Sequence, residues 1–247
     1  MSDEKLGFSK SVPLIVSAAI ISIALGLGLN QVGHGFASRT GEGITVTGSA
    51  KVSAKADKAV WPLNAERLAP TQSEAITKVN AAVDAVTRYL TDGGVPASEI
   101  EYGSASAYPQ EEYVNGSSTG RIISYRASRL ITVRTKNVEL VSTLSKGIGS
   151  LLATGVNVSN YGPQYYVSTL SDLRPELLKE AMQDAHIRAK AIVEATGGSV
   201  GSVMSVRSGP FQVTSPDSTD TSAGGFYDTS TIDKTITSTV TVMFKVN

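Results

Sequence analysis

The stretch ITVTGSAKVSA, Ile44 to Ala54, decides the fold. In it Ile44, Val46, Gly48, Ala50, Val52 and Ala54 alternate with Thr45, Thr47, Ser49, Lys51 and Ser53. A period of two writes a strand with one buried and one solvated face, and the β-branched residues favour it. The same alternation closes the chain, where Ile236, Val240, Val242, Phe244 and Val246 are interleaved with Thr237, Thr239, Thr241 and Lys245. Strands at both ends imply a sheet, and what lies between supplies its helices.

After a turn at Ala56-Asp57, Ala59, Trp61, Leu63 and Ala65 alternate again, and Pro62, which has no N–H for a ladder, places this second strand at an edge or a bulge. Thr71-Gln-Ser-Glu74 forms a capping box, followed by Ile76, Val79, Val83, Val86 and Leu90 at helical spacing and stopped by Gly93-Gly94. Ile100 to Tyr108 and Arg121 to Thr135 read as a long hairpin around a polar loop, with Asn115-Gly116 its sharpest turn signal. Asn137 caps a second helix carrying Val141, Leu144, Ile148 and Leu151 or Leu152 and ending at Gly155, and a strand runs from Val156 to about Ser168. The third helix spans about Ser171 to Thr196, with Leu173, Leu177, Ala181, Met182, Ala185, Ala189, Ile192 and Val193 on its stripe. Val213 to Ser230, rich in Ser, Thr, Asp and Gly, reads as a loop. The order ββ-α-ββ-α-β-α-ββ predicts an α+β fold with a largely antiparallel sheet and helices packed on one face. Helix, glycine stop and strand recur three times, which sets an internal subdivision near 137–156.

Working outward to the N-terminus, Val12 to Leu29 carries no charge. Eighteen residues at about 1.5 Å rise make a helix of roughly 27 Å, close to the ~30 Å hydrocarbon core of a bilayer. Lys5 and Lys10 precede it, which favours a cytoplasmic tail over 1–11, an anchor over 12–33, a linker over 34–43 and an extracytoplasmic domain over 44–247. The expectation is a single-pass membrane protein whose lipid partner meets residues 12–29. A secretory signal cleaved after Ala37 is the competing reading, and a buried core helix a third. Ala18, Ser22 and Gly26, at i, i+4 and i+8, form a face on which membrane helices can pack closely.

With 22 basic and 22 acidic residues the formal charge is zero, so bulk electrostatics recruits no nucleic acid. The absence of cysteine excludes disulfides, thiolate metal sites and cysteine nucleophiles. His34 and His186 are the only imidazoles, too few for a zinc site and too far apart in sequence to suggest a catalytic pair. No phosphate-cradling loop and no nucleophile elbow is present. The expectation is a protein without catalytic residues, metal or cofactor.

Tyrosine is distributed unevenly. Tyr102, Tyr108, Tyr113, Tyr125, Tyr161, Tyr165 and Tyr166 gather in the middle third, interleaved with Arg121, Arg126, Arg129 and Arg134. Both residue types are enriched in protein contacts. Subunit contact, ordinary cross-strand pairing and a pocket for a small molecule or peptide all remain open as readings. The first selects Tyr108, Tyr125, Arg126, Tyr165 and Tyr166 as homo-oligomer contacts.

Three features, the ITVTGSAKVSAKAD opening, the Leu90, Gly94-Val95, Glu99-Ile100 exit from the first helix and Tyr108-Pro109, resemble the SIMPL-domain family, DUF541, known through periplasmic immunogenic members. The strongest match is Ala181-Met-Gln-Asp-Ala185-His-Ile-Arg-Ala189-Lys-Ala191, followed by Gly197 and Val200-Gly201-Ser-Val203. The resemblance covers Ile44 to Asn247. It implies an α+β envelope domain with no established catalytic residues, a tendency to ring-shaped homo-oligomers and a loose link to stress tolerance. The long apolar segment and the polar stretches around Asn115 and Ser222 depart from the family pattern.

Overall fold

The computed structural model describes residues 43–247. The expected anchor over 12–33, the face of Ala18, Ser22 and Gly26, the tail and the linker up to residue 42 lie outside the described residues. Among those described, no helix is long and apolar enough to cross a membrane.

The elements are β1 (Gly43–Lys55), β2 (Lys58–Ala69), α1 (Gln72–Asp92), β3 (Ile100–Tyr102), β4 (Ser106–Val114), β5 (Ser117–Thr135), α2 (Val138–Gly147), α3 (Gly149–Ala153), β6 (Val158–Asn160), β7 (Gln164–Tyr166), α4 (Leu170–Glu194), β8 (Val200–Ser208), β9 (Gln212–Thr214), β10 (Phe226–Tyr227) and β11 (Asp233–Val246). An α+β fold with antiparallel sheets is what these strands and helices make. The expected single sheet is two. One runs β3-β5-β2-β6, with β4 also on β5 and β7 also on β2; the other runs β1-β11-β9-β10, with β8 also on β11. β1 and β2 are consecutive but do not pair, because Ala56 and Asp57 carry the chain from one sheet to the other. There the Ala56 N–H donates to Ile232 O at 2.8 Å and the Asp57 N–H to Tyr166 O at 3.0 Å.

By internal contact the described chain forms two units, one of 48–184 and 208–240 and a smaller one of 43–47, 185–207 and 241–247. In the larger unit α1 lays Val79, Val83, Val86 and Leu90 into one core with Trp61 and Leu63 of β2, Ile131 and Val133 of β5, and Val141 of α2. Its start is the predicted cap: Thr71 Oγ1 accepts from the Glu74 N–H at 3.2 Å. In the smaller unit Ala185, Ala189 and Val193 are buried, as are Val242 and Phe244, with the His186 ring edge-on to Phe244 at 5.5 Å. Small side chains at every fourth position give α4 its buried stripe, whereas Ile192, expected on it, is 52% exposed.

Four local expectations change. Pro62 is not on an outer strand: β2 pairs β5 throughout Ala59–Ala69, and on its other side β7 meets 58–60 and β6 meets 63–65. The proline stands in the gap between those two short partners, where a missing donor breaks no ladder. The strand expected over Val156–Ser168 is two three-residue pieces, split at Gly162, whose φ of 77° is a left-handed turn conformation. The second helix is interrupted at Ile148, leaving α2 and α3. The Ser/Thr-rich stretch after Val213 is not loop throughout, since β9 is fully buried and β10 pairs it in parallel. There Gln212 acts as a strand substitute, its Nε2 donating to Ser222 O at 2.8 Å and its Oε1 accepting from the Ser222 N–H at 3.3 Å.

Candidate functional site

The polar run expected to be a loop is strand. β4 and β5 continue to a two-residue turn at Asn115 and Gly116, whose φ angles of 49° and 82° fit the left-handed turn that matches strand twist. Beyond Tyr125, the last β5 residue paired with β2, the hairpin leaves the core and becomes an arm. Tyr113 is 67% exposed and Ile123 56%, with Tyr108, Val114 and Ile122 also exposed. Polar residues keep the strands together by side-chain bonds across the arm. Arg121 donates twice to Glu112, with Nε to Oε2 at 3.0 Å, and Thr119 Oγ1 donates to Glu112 Oε2 at 3.1 Å. Ser118 Oγ donates to Glu111. The Arg121 hydrogen bond holds the Glu112 carboxyl below its usual value. An isolated two-stranded hairpin is marginal in water, and this one presents apolar side chains with no core beneath them.

The four arginines of the middle third are already engaged. Arg126 Nη1 meets Glu66 Oε1 at 2.6 Å and Arg134 Nε meets Glu101 Oε2 at 2.9 Å, both across neighbouring strands. Arg129 donates to Gly103 O at 2.9 Å and lies over the Tyr102 ring at 5.6 Å. Cross-strand chemistry therefore accounts for most of the arginine pattern.

The tyrosines divide. Tyr165 is 5% exposed and belongs to the core, so its selection as an oligomer contact is corrected: the β7 register aligns it with buried Ala59, which turns its ring inward. Tyr125 is half-buried against the same core. Tyr166 is half-buried, its ring 5.9 Å from that of Tyr227 and its hydroxyl donating to Gln164 Oε1 at 2.8 Å. Tyr108 remains exposed, aligned with Arg126 on the neighbouring strand. Of the five selected residues, only Tyr108 presents a largely free aromatic surface.

A site that the sequence reading missed sits at the start of β11. Lys234 is 1% exposed, and its Nζ donates to Asp228 O at 2.5 Å and lies 3.3 Å from both Asp228 Oδ2 and Thr231 Oγ1. Burial pushes the lysine below its ordinary value, against the pull of Asp228. For Asp228 burial acts upward, but hydrogen bonds from Thr231 and Ser230 and the charge of Lys234 outweigh it and hold the carboxyl well below the usual range. The signal was present: Lys234 is in phase with Ile236 and Val240 on the buried face. The pair ties the 228–231 turn to the strand, and the Ser230 and Thr231 hydroxyls donate to the Asp228 carboxylate beside it.

A hollow of about 580 Å³ is lined by Ser145, Lys146, Tyr161, Pro163, Thr231 and Asp233 among others. It includes Tyr161 and Tyr165 but none of the middle-third arginines; Arg126 lines a separate hollow of about 380 Å³ with Glu66, Arg67 and Asn157. Among the described residues no group of three or more His, Cys, Asp or Glu is placed to hold a metal.

The family profile described as SIMPL, protein of unknown function (DUF541), matches residues 44–244. The 26 kDa periplasmic immunogenic protein of Brucella melitensis is 27% identical over 169 residues, covering 66% of this chain and 65% of that protein. The protein of the same name from Brucella abortus shows the same identity and coverage. The chain thus spans just under two thirds of the length of these relatives. A crystal structure of an amidase of the hydantoinase/carbamoylase family from Burkholderia vietnamiensis aligns at 16% identity over 52% of this chain and 32% of that one. Its TM-score of 0.23 carries no argument.

Proposed function

This chain belongs to the SIMPL family, and from that premise we propose that it is a non-enzymatic, extracytoplasmic protein that assembles with copies of itself into a ring-like scaffold or interaction platform. The names of the Brucella proteins place those relatives in the periplasm, which supports the compartment. In this reading residues 12–29 hold the assembly at the inner membrane. The observation that carries self-assembly is the β4–β5 arm, whose Tyr113, Val114, Ile122 and Ile123 are exposed where no core reaches them, with Tyr108 exposed at its base. An apolar surface on a projecting hairpin gains most by seating on another subunit.

Light scattering on the detergent-solubilised chain tests this, with and without Tyr113→Ser and Ile123→Ser together. A large oligomer that the double substitution shrinks supports assembly through the arm. A monomer before substitution refutes assembly.

A further inference from the structure

Two hollows of the larger unit carry arginine, and the guanidinium groups are engaged differently. At the hollow of about 380 Å³, Arg126 is paired with Glu66, and Arg67 donates to the backbone oxygens of Glu66, Asn157 and Gly155. Another hollow, of about 470 Å³, opens where α4 begins. There Arg174 has only the Phe211 ring, 5.4 Å from its guanidinium carbon, and meets no carboxylate or carbonyl among the described residues. Its acidic neighbours on the helix are already engaged: Asp172 accepts from the Ser171 hydroxyl at 3.3 Å, and Glu176 holds Lys179 at 3.0 Å.

The rest of the wall is apolar. Leu170 stands one helical turn before Arg174, on the same side of α4. Val213, 1% exposed, and Tyr227, aligned with it on β10, belong to the wall, and Phe211 and Phe226 add two further rings. Backbone bonds hold these groups in place. The Val167 N–H donates to the Tyr227 hydroxyl at 2.8 Å, the Asp228 N–H to Val213 O at 2.8 Å and the Gly225 N–H to Ser222 O at 3.0 Å.

We propose that this hollow binds a small monocarboxylate with an apolar body, the body lying among Phe211, Phe226 and Tyr227 and the carboxylate on Arg174. The ligand class follows from the wall. Small-molecule sites are concave and mostly apolar, with a few polar groups that orient what enters. Among the described residues Arg174 is the one charged side chain here, so it matches a single negative charge better than a phosphate dianion. A guanidinium is weakly hydrated and stacks on an aromatic face, which leaves its fork of N–H donors free to meet a carboxylate with two parallel hydrogen bonds. Because α4 opens at Leu170, the positive end of its dipole adds to that charge. The site shares no residue with the β4–β5 arm, and binding there needs no assembly.

Calorimetric titration of the full chain in lipid nanodiscs, with empty discs as the blank, tests the site with phenylpropionate and hexanoate at neutral pH, each beside its uncharged alcohol. At least one acid is expected to bind saturably and about tenfold or more tightly than its alcohol, because a hydrogen bond to a charged group outweighs one between neutral groups. The tighter acid identifies the body as aryl or alkyl. Arg174→Gln should abolish the preference for acid and leave the affinity for alcohol within about twofold. Phe226→Ser should weaken acid and alcohol together. Thermal melting of both variants confirms that they are folded. No saturable binding of either acid, equal affinity for acid and alcohol, a preference that survives in folded Arg174→Gln, or binding unaffected by Phe226→Ser overturns the site.

Discussion

One strand crosses two environments in this protein. From Tyr125 to Thr135, β5 pairs β2 residue by residue and buries Ala127, Ile131 and Val133; from Ser117 to Ser124 it pairs only β4 and buries nothing. Sequence composition hardly changes along it, since Ile122 and Ile123 are as apolar as Ile131. A helix makes the difference, because α1 lies over the second half and stops short of the first. The two ion pairs repeat the contrast. Arg121 and Glu112 face solvent on the arm, whereas Lys234 is sealed against Asp228. Burial, and not residue type, decides which parts of this chain supply stability and which remain available for contact.

The largest effect is expected where a charge would be stranded. Lys234→Ala leaves Asp228 without its cation, and removing one partner of a buried pair costs about 3–5 kcal/mol. Chemical denaturation that found no loss would place the pair outside the cooperative core. Its other half is read by acid. Because the Asp228 carboxyl is lowered in the fold, the stability it contributes is present above the unfolded value of about 3.9 and is lost as pH falls toward the folded one. Stability of Asp228→Asn should therefore fall less steeply than that of the unaltered protein below about pH 4.

On the two halves of β5 the same deletion should differ severalfold. Ile131→Ala opens a cavity under α1 and should cost about 2–5 kcal/mol. Removing Arg121 from its exposed pair should cost less than about 1 kcal/mol. Ile123→Ala should stay within about 0.5 kcal/mol, with its effect on oligomer size by light scattering instead. If Ile123→Ala destabilises the isolated subunit as much as Ile131→Ala does, the arm is packed and the contrast fails.

Periodicity carried much of the fold. The alternation of β1, β2 and β11, the capping box at Thr71 and the every-fourth-residue stripe of α4 all stand where local sequence puts them, because a half-buried strand or helix must repeat with its own geometric period. The same phase contained the buried Lys234, overlooked because a lysine in a strand is ordinarily read as solvated. Apolar faces repeated at fixed intervals, an asparagine-glycine turn and a glycine after each helix were thus determined by the sequence alone. Only the tertiary structure decided that β1 and β2 belong to different sheets, that Pro62 occupies a gap, that Tyr165 points inward and that the polar run around Asn115 is an extended arm. Each depends on which distant strand supplies the next hydrogen bond and which helix covers a face, and neither choice is written in a residue's immediate neighbours.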